Sequence, residues 1–166
     1  YDSKNKMVMY NSVDNSFLQL SANKKKNIVG LVANVTAKWK RHDLFIDLAK
    51  IYFENYGDEL EFVIFGAVPK NFNDYFNSLK NKIDSKNLNH IVKFAGMINS
   101  KEIFRNIKIL VHTCATEPFG RIFIEASASA VPVLAIKGGG ASEIVNDKIG
   151  FLFEKDNLSE MARKLH

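Results

Sequence analysis

Apolar stretches of strand length recur along this chain, and most are near-continuous rather than alternating. They are MVMY (7–10), NIVGLVA (27–33), LEFVIFG (60–66), HIVKFAG (90–96), KILVHT (108–113), VPVLAI (131–136) and GFLFE (150–154). A strand with one wet face alternates apolar and polar residues. A continuous run belongs to a strand buried on both faces, as in a parallel sheet covered by helices. The segments between the runs carry the helices. Leu44, Phe45, Leu48, Ile51 and Tyr52 form one apolar stripe, stopped by Gly57, and Phe72, Tyr75, Phe76, Leu79 and Ile83 form another. Asn99 with Glu102 three residues on reads as a helix start. Alternating strands and helices predict an α/β fold, a Rossmann-like doubly wound parallel sheet with right-handed crossovers. At 166 residues the chain has the size of one domain. Ligands of such sheets bind at the carboxyl ends of the strands, so functional residues are expected just after each apolar run.

The balance of 46% hydrophobic and 25% charged residues is that of a soluble globular protein. No apolar run approaches the length of a membrane span, and YDSKNKMVMY is not a secretory signal. Because the first residue is Tyr1 rather than methionine, the chain is expected to be processed or cut from something longer. The net charge of +5, concentrated at 23–27 and 38–41, suits a nucleotide, a phosphorylated lipid or an anionic membrane face. Solvated surface lysines explain 23–27 equally well. No zinc spacing, RNP-like aromatic pattern or helix-turn-helix points to nucleic acid. Cys114 is the only cysteine, which rules out an intrachain disulfide and fits a reducing cytoplasm.

Four strand-end loops stand out: NVTAKWKRHD (34–43), GAVPKN (66–71), CATEPFGR (114–121) and KGGGASE (137–143). None matches G-x-G-x-x-G or the P-loop, and three glycines in a row more often mark a turn than a ligand. The unusual feature is ATEPFGRIFIEASASAVPV (115–133), an apolar run carrying Glu117 and Glu125. Pro118 predicts a helix start beside it, with Glu117 in the loop and Glu125 inside the helix. An i, i+4 pair with Arg121 would give Glu125 about 0.2–0.5 kcal/mol, in the less favourable orientation. Vicinal hydroxyls of a ribose would serve a half-buried carboxylate better. On residue chemistry alone, ligand and salt bridge both stay open.

The run Glu117-Pro118-Phe119-Gly120-Arg121, followed by Glu125-Ala126, resembles the E-x7-E motif of the group 1 (family 4) retaining glycosyltransferases. VMYNSVD (8–14), LVANVTAKWKRHDLFI (31–46), FVIFGAVP (62–69), VKFAGMI (92–98), VPV (131–133) and GGASEIV (139–145) resemble further family segments in order. The resemblance implies the C-terminal half of a GT-B fold, a nucleotide-sugar-binding domain over 1–166, with the N-terminal acceptor-binding domain absent from this chain. It also implies the site. Glu125 would accept from ribose hydroxyls, and Glu117 would hold hydroxyls of the transferred sugar. Backbone N–H groups of Phe119, Gly120, Arg121 and Ile122 would meet sugar and diphosphate. Lys40 would neutralise the diphosphate as the bond breaks. Gly96 and Met97 would contact the base, with Gly66 lining the same cleft.

The chain also departs from the family pattern. Ala33-Asn34 stands where Gly-Arg is frequent, so Asn34 occupies the place of a phosphate cation. Arg41, Ser12 and Ala130 replace glycines, and Cys114 replaces a common serine. Trp39 is expected to cover the sheet edge, His112 to be a core or supporting histidine, Arg121 to be exposed or to face phosphate, and Cys114 to be a small buried residue.

The expectation is thus a cytoplasmic glycosyltransferase, with peripheral association of its parent at the inner membrane face. It would move a sugar from a UDP-, GDP- or ADP-sugar to a glycan or lipid-linked acceptor with retention, and this fragment alone would be inactive. No cofactor is expected, and, with no Asp-x-Asp and no His/Cys cluster, no metal. The alternatives are a non-catalytic nucleotide-sugar-binding module and a flavodoxin-like protein-interaction domain.

Overall fold

The computed structural model describes residues 9, 11–36, 38–155 and 157–166. Six strands pair in parallel in the order β3-β2-β1-β4-β5-β6: β1 Ile28–Val32, β2 Glu61–Phe65, β3 Val92–Gly96, β4 Ile109–His112, β5 Val133–Ile136 and β6 Gly150–Phe153. The helices between and after them are α1 His42–Tyr56, α2 Asn73–Ser85, α3 Ser100–Asn106, α4 Arg121–Ala128, α5 Gly139–Ile144 and α6 Leu158–Leu165. This is the doubly wound sheet expected from the alternation. The apolar run at 7–10 lies outside the described residues except for Met9, which belongs to no regular element.

The continuous strands divide their side chains between two cores with a period of two. Val29, Leu31, Phe62, Ile64, Ile109, Val111, Leu134 and Ile136 face one core, against α1, α2 and α6. Val63, Phe65, Leu110, Val133 and Ala135 face the other, against α3, α4, α5 and the 3-10 segment Asn15–Leu20. The central strands β1, β2, β4 and β5 are therefore dry on both faces. The edge strands depart from the expectation: β3 exposes Lys93 and Ala95, and β6 exposes Phe151, because no further strand or helix among the described residues covers them there.

Helix ends follow local chemistry. Gly57 closes α1 at φ 87°, and the Asn99 side chain accepts from the Lys101 N–H at the start of α3. Helix α4 begins later than Pro118 suggests. Gly120 holds φ 77° just before Arg121, a left-handed conformation that a right-handed helix cannot contain. Pro118 therefore stays in the loop. Two of the missing glycines also gain a physical meaning. Arg41 sits at φ 54° and Ala130 at φ 52°, so at both positions a side chain occupies backbone space that glycine enters freely. Arg41 has compensation, since its guanidinium pairs with Asp43 at 3.0 Å.

Ala130 follows the C-terminus of α4 and is exposed, the position where a left-handed glycine normally ends a helix. Ala130→Gly is expected to stabilise the fold by roughly 0.5–1 kcal/mol, the left-handed penalty less the entropy that glycine adds to the unfolded chain. A thermal melt followed by circular dichroism should show a midpoint higher by about 1–4 °C; a lower midpoint would refute strain at this residue.

Candidate functional site

Between β1 and β4 the winding reverses, with β2 and β3 on one side and β5 and β6 on the other. A crevice at the carboxyl ends of the strands follows from that reversal. Because all strands are parallel, the loops after β1, β2, β3, β4 and β5 meet along one rim.

The loop after β4 is seated on glycine backbone. A Cβ on Gly138 would come within 2.2 Å of the Ala115 carbonyl oxygen, one on Gly139 within 2.2 Å of that of Glu117, and one on Gly140 within 2.1 Å of that of Phe119. The Gly140 N–H also donates to the Glu117 carbonyl at 2.8 Å. The triple glycine therefore serves close approach of two backbones.

This seating carries Glu117 to the loop after β1. The Lys40 Nζ donates to Glu117 Oε2 at 2.6 Å, and both side chains are 19% exposed. The Thr113 hydroxyl donates to the Lys40 carbonyl at 2.9 Å, tying the two loops a second time. His42, at the first turn of α1, is fully buried and braces the same loop from beneath. Its Nε2–H donates to the Ala33 carbonyl at 3.2 Å, which leaves Nδ1 to accept from the Tyr75 hydroxyl at 3.3 Å. Burial holds this imidazole below its ordinary pKa. Trp39 does not cover the sheet edge as expected. It stands 49% exposed in the 3-10 turn Lys38–Lys40, with the Lys40 ammonium 4.1 Å from its ring centroid. The three-residue turn has no buried side chain, so the ring stays half in solvent.

Glu125 lies one turn inside α4 with its side chain 12% exposed. Arg121 does approach it, at 3.5 Å, but the arginine is 72% exposed, so the pair contributes little. The firmer partner is Ser100, whose hydroxyl donates to Glu125 Oε2 at 2.6 Å. The residue pattern does not reveal this contact. Ser100 opens α3, and only the seating of α3 and α4 on the same 3-10 segment and core brings it to the carboxylate.

The remaining candidates divide into two groups. Asn34, Gly66 and Met97 line a cavity of about 250 Å³. Gly66 donates to the Gly96 carbonyl at 2.8 Å, and no side chain fits at Gly66 because a Cβ would lie 2.2 Å from the Ala33 oxygen. Met97 is 79% exposed. Asn34 Oδ1 accepts from the Ala67 N–H at 2.8 Å, so its side chain joins the loops after β1 and β2. Phe119, Gly120, Arg121 and Ile122 form the entry to α4, where Gly120 provides no side-chain cap for the first-turn N–H groups. A separate hollow of about 300 Å³ runs along the sheet face between Lys26 and Glu102 and contains none of these residues.

The fold also makes a cluster that spacing alone hides. His112, Cys114 and Glu117 offer ligand atoms that all lie within 4.8 Å of one another. The expectation that no histidine–cysteine cluster exists thus needs correction, because a strand end and the loop after it turn three residues toward one point. His112 and Cys114 are buried as expected. Neither ring nitrogen of His112 has a hydrogen-bond partner among the described residues, and burial pushes its pKa down to about 4. The imidazole is therefore neutral near pH 7. Glu117 Oε2 lies 3.9 Å from its Nε2.

Comparison with known proteins places this geometry. Residues 12–166 match the family described as glycosyl transferases group 1. The poly(ribitol-phosphate) alpha-N-acetylglucosaminyltransferase of Staphylococcus aureus (strain COL) is 31% identical over 147 residues, which cover 84% of this chain and 28% of that protein. Anabaena Alr3699/HepE, solved in complex with UDP and glucose, superposes with a TM-score of 0.81 at 27% identity, covering 96% of this chain and 46% of that one. The C-terminal domain of the group 1 glycosyl transferase LpcC from Francisella tularensis superposes with a TM-score of 0.70 at 28% identity, covering 91% of this chain and 79% of that one. The chain thus spans less than half the length of its full-length relatives. A match over nearly all of its residues means that the chain belongs to the group 1 glycosyltransferases, with the Rossmann-like fold of a GT-B C-terminal domain.

Proposed function

We propose that this chain is the donor-binding half of a retaining glycosyltransferase that moves a sugar from a nucleoside diphosphate to a polysaccharide or lipid-linked acceptor. The observation that carries the reading is the Lys40–Glu117 pair at the ends of β1 and β4, with the largely buried carboxylate of Glu125 one turn into the helix that follows the same loop. HepE, solved with UDP and glucose, supports a uridine diphosphate donor. The staphylococcal relative, named for poly(ribitol-phosphate), supports a polymeric acceptor.

In this reading Glu125 accepts from the ribose hydroxyls. Ser100 holds one carboxylate oxygen in place, and the remaining lone pairs of Glu125 serve the ligand. Lys40 leaves Glu117 for the diphosphate, where two phosphates offer more negative charge than one carboxylate. Glu117, released, accepts from hydroxyls of the sugar. The N–H groups at the start of α4 meet the phosphate oxygens, with the positive end of the helix dipole behind them. Lys40 and the helix together stabilise the leaving diphosphate without a divalent ion. Asn34, Gly66 and Met97 line the base-facing cavity, and Gly96 adjoins it through the Gly66 N–H. An N-terminal half, outside this chain, holds the acceptor close to the anomeric carbon, so the chain alone binds donor and transfers nothing. The setting proposed is cytoplasmic, and no described helix is long and apolar enough to cross a membrane.

Three measurements test this assignment. By isothermal titration, Glu125→Ala should weaken UDP binding roughly ten- to a hundred-fold, the loss of a charged hydrogen bond of about 1.5–3 kcal/mol. Unchanged affinity would return Glu125 to Arg121 and Ser100 alone. Lys40→Ala should weaken UDP by about tenfold or more while leaving uridine within roughly twofold, because the ammonium meets phosphate and not base. Equal losses for the two ligands would remove Lys40 from the diphosphate. Finally, UDP affinity should be the same with and without EDTA; loss on chelation and recovery with magnesium would reject the metal-free mechanism.

A further inference from the structure

The donor rim holds a set of potential metal ligands, of which the proposed mechanism uses Glu117 alone. His112 has 3% of its side chain exposed, and both its ring nitrogens lack a partner among the described residues. A buried, unpaired imidazole carries a desolvation cost that a ligand would relieve. Its Nε2 faces Glu117 Oε2 at 3.9 Å, and Cys114 Sγ completes the group, with all three ligand atoms within 4.8 Å of one another. Around a tetrahedral zinc ion the ligand atoms sit about 3.5 Å apart, so closure needs a shift of roughly 1 Å. Glu117 can supply it, because its side chain is on a loop and 19% exposed.

We infer that His112, Cys114 and Glu117 form an inhibitory site for a borderline-soft divalent cation of the zinc class. One neutral imidazole, one thiolate and one carboxylate balance the two positive charges of the ion. The Cys114 thiol gives its proton to solvent, the metal–sulfur bond replaces it, and no electron is transferred. Glu117 exchanges Lys40 for the metal, and the ammonium turns outward beside the Trp39 ring that it already contacts. The protein supplies three ligands, so water takes the fourth position. His112 Nδ1 has no acceptor among the described residues, so the outer hydrogen bond that stiffens dedicated zinc sites is missing. The ion is accordingly exchangeable, a brake on the site rather than a structural part. Magnesium, which demands oxygen ligands in octahedral geometry, does not fit this donor set.

The consequence for the donor rests on the proposed role of Glu117; metal binding itself does not. The test is therefore made in two arms on the 166-residue chain. In the first, cobalt(II) chloride is titrated into metal-free protein and read by absorbance. One equivalent should produce a thiolate-to-cobalt charge-transfer band and tetrahedral d–d bands, displaced by zinc chloride and untouched by magnesium. Cys114 is the only thiol, so the charge-transfer band reports that residue alone. Glu117→Gln and His112→Asn should each weaken cobalt binding at least about tenfold, the scale that loss of even an outer hydrogen-bonding partner of a metal ligand reaches. No charge-transfer band, or full affinity in either variant, overturns the site. Glu117→Gln, on a loop, keeps this decisive even where His112→Asn disturbs folding. In the second arm, zinc should lower UDP affinity in a way that EDTA reverses. Cobalt bound at full affinity with UDP binding unchanged would overturn the inhibitory claim and the donor role of Glu117 while leaving the metal ligands standing.

Discussion

Two backbones touch where the loop after β4 lies on Gly138, Gly139 and Gly140, and the rim depends on that contact. At each of the three positions a Cβ would overlap a carbonyl oxygen of the loop. The Gly140 N–H then holds the Glu117 carbonyl. With the loop so fixed from below, the Glu117 side chain reaches across the switch point to Lys40, and the Thr113 hydroxyl fastens the same two loops. A side chain at any of these glycines would lift Glu117 away from Lys40. The glycines act through the space they leave rather than through a ligand of their own.

The electrostatics of the rim follow from partial burial. Lys40, Glu117 and Glu125 are each largely shielded from water, and each has found a protein partner. An unpaired charge in such a place is costly. A carboxylate nevertheless has about four acceptor sites, and these partners occupy only part of them. The charged groups of the rim are thus paired without ligand, yet the carboxylates keep acceptor capacity. The same economy exposes its weak point. His112, buried beside Glu117 with no partner for either ring nitrogen among the described residues, belongs to the donor set of the proposed cation site.

The family departures become intelligible as backbone physics. Arg41 and Ala130 replace glycines at left-handed φ, so the fold keeps the conformation and bears the strain. Asn34 stands where an arginine is frequent. Its carbonyl oxygen accepts from the Ala67 N–H while the Val35 N–H donates to the Ala67 carbonyl. A guanidinium has no acceptor and could not make the first of these bonds. Asn34 thus clamps two loops, and the cation paired at Glu117 is Lys40.

Residue order settles more of the fold than of the site. Near-continuous runs such as LEFVIFG and VPVLAI can only be strands wetted on neither face, and the stripes of α1 and α2 are local periodicities. The doubly wound sheet and the strand-end location of the loops were therefore legible, as was the oddity of Glu117 and Glu125 in an apolar run. Distances between elements are not written in any local pattern. Ser100 meets Glu125 because α3 and α4 share the core around the segment Asn15–Leu20; the glycine run matters because another loop lies on it; and the start of α4 moved past Pro118 because Gly120 turned left-handed. Helix and strand periodicity arise from neighbours a few residues apart. Lys40 and Glu117 are separated by 77 residues, and a contact over that span exists only once a closed sheet has brought its strand ends together.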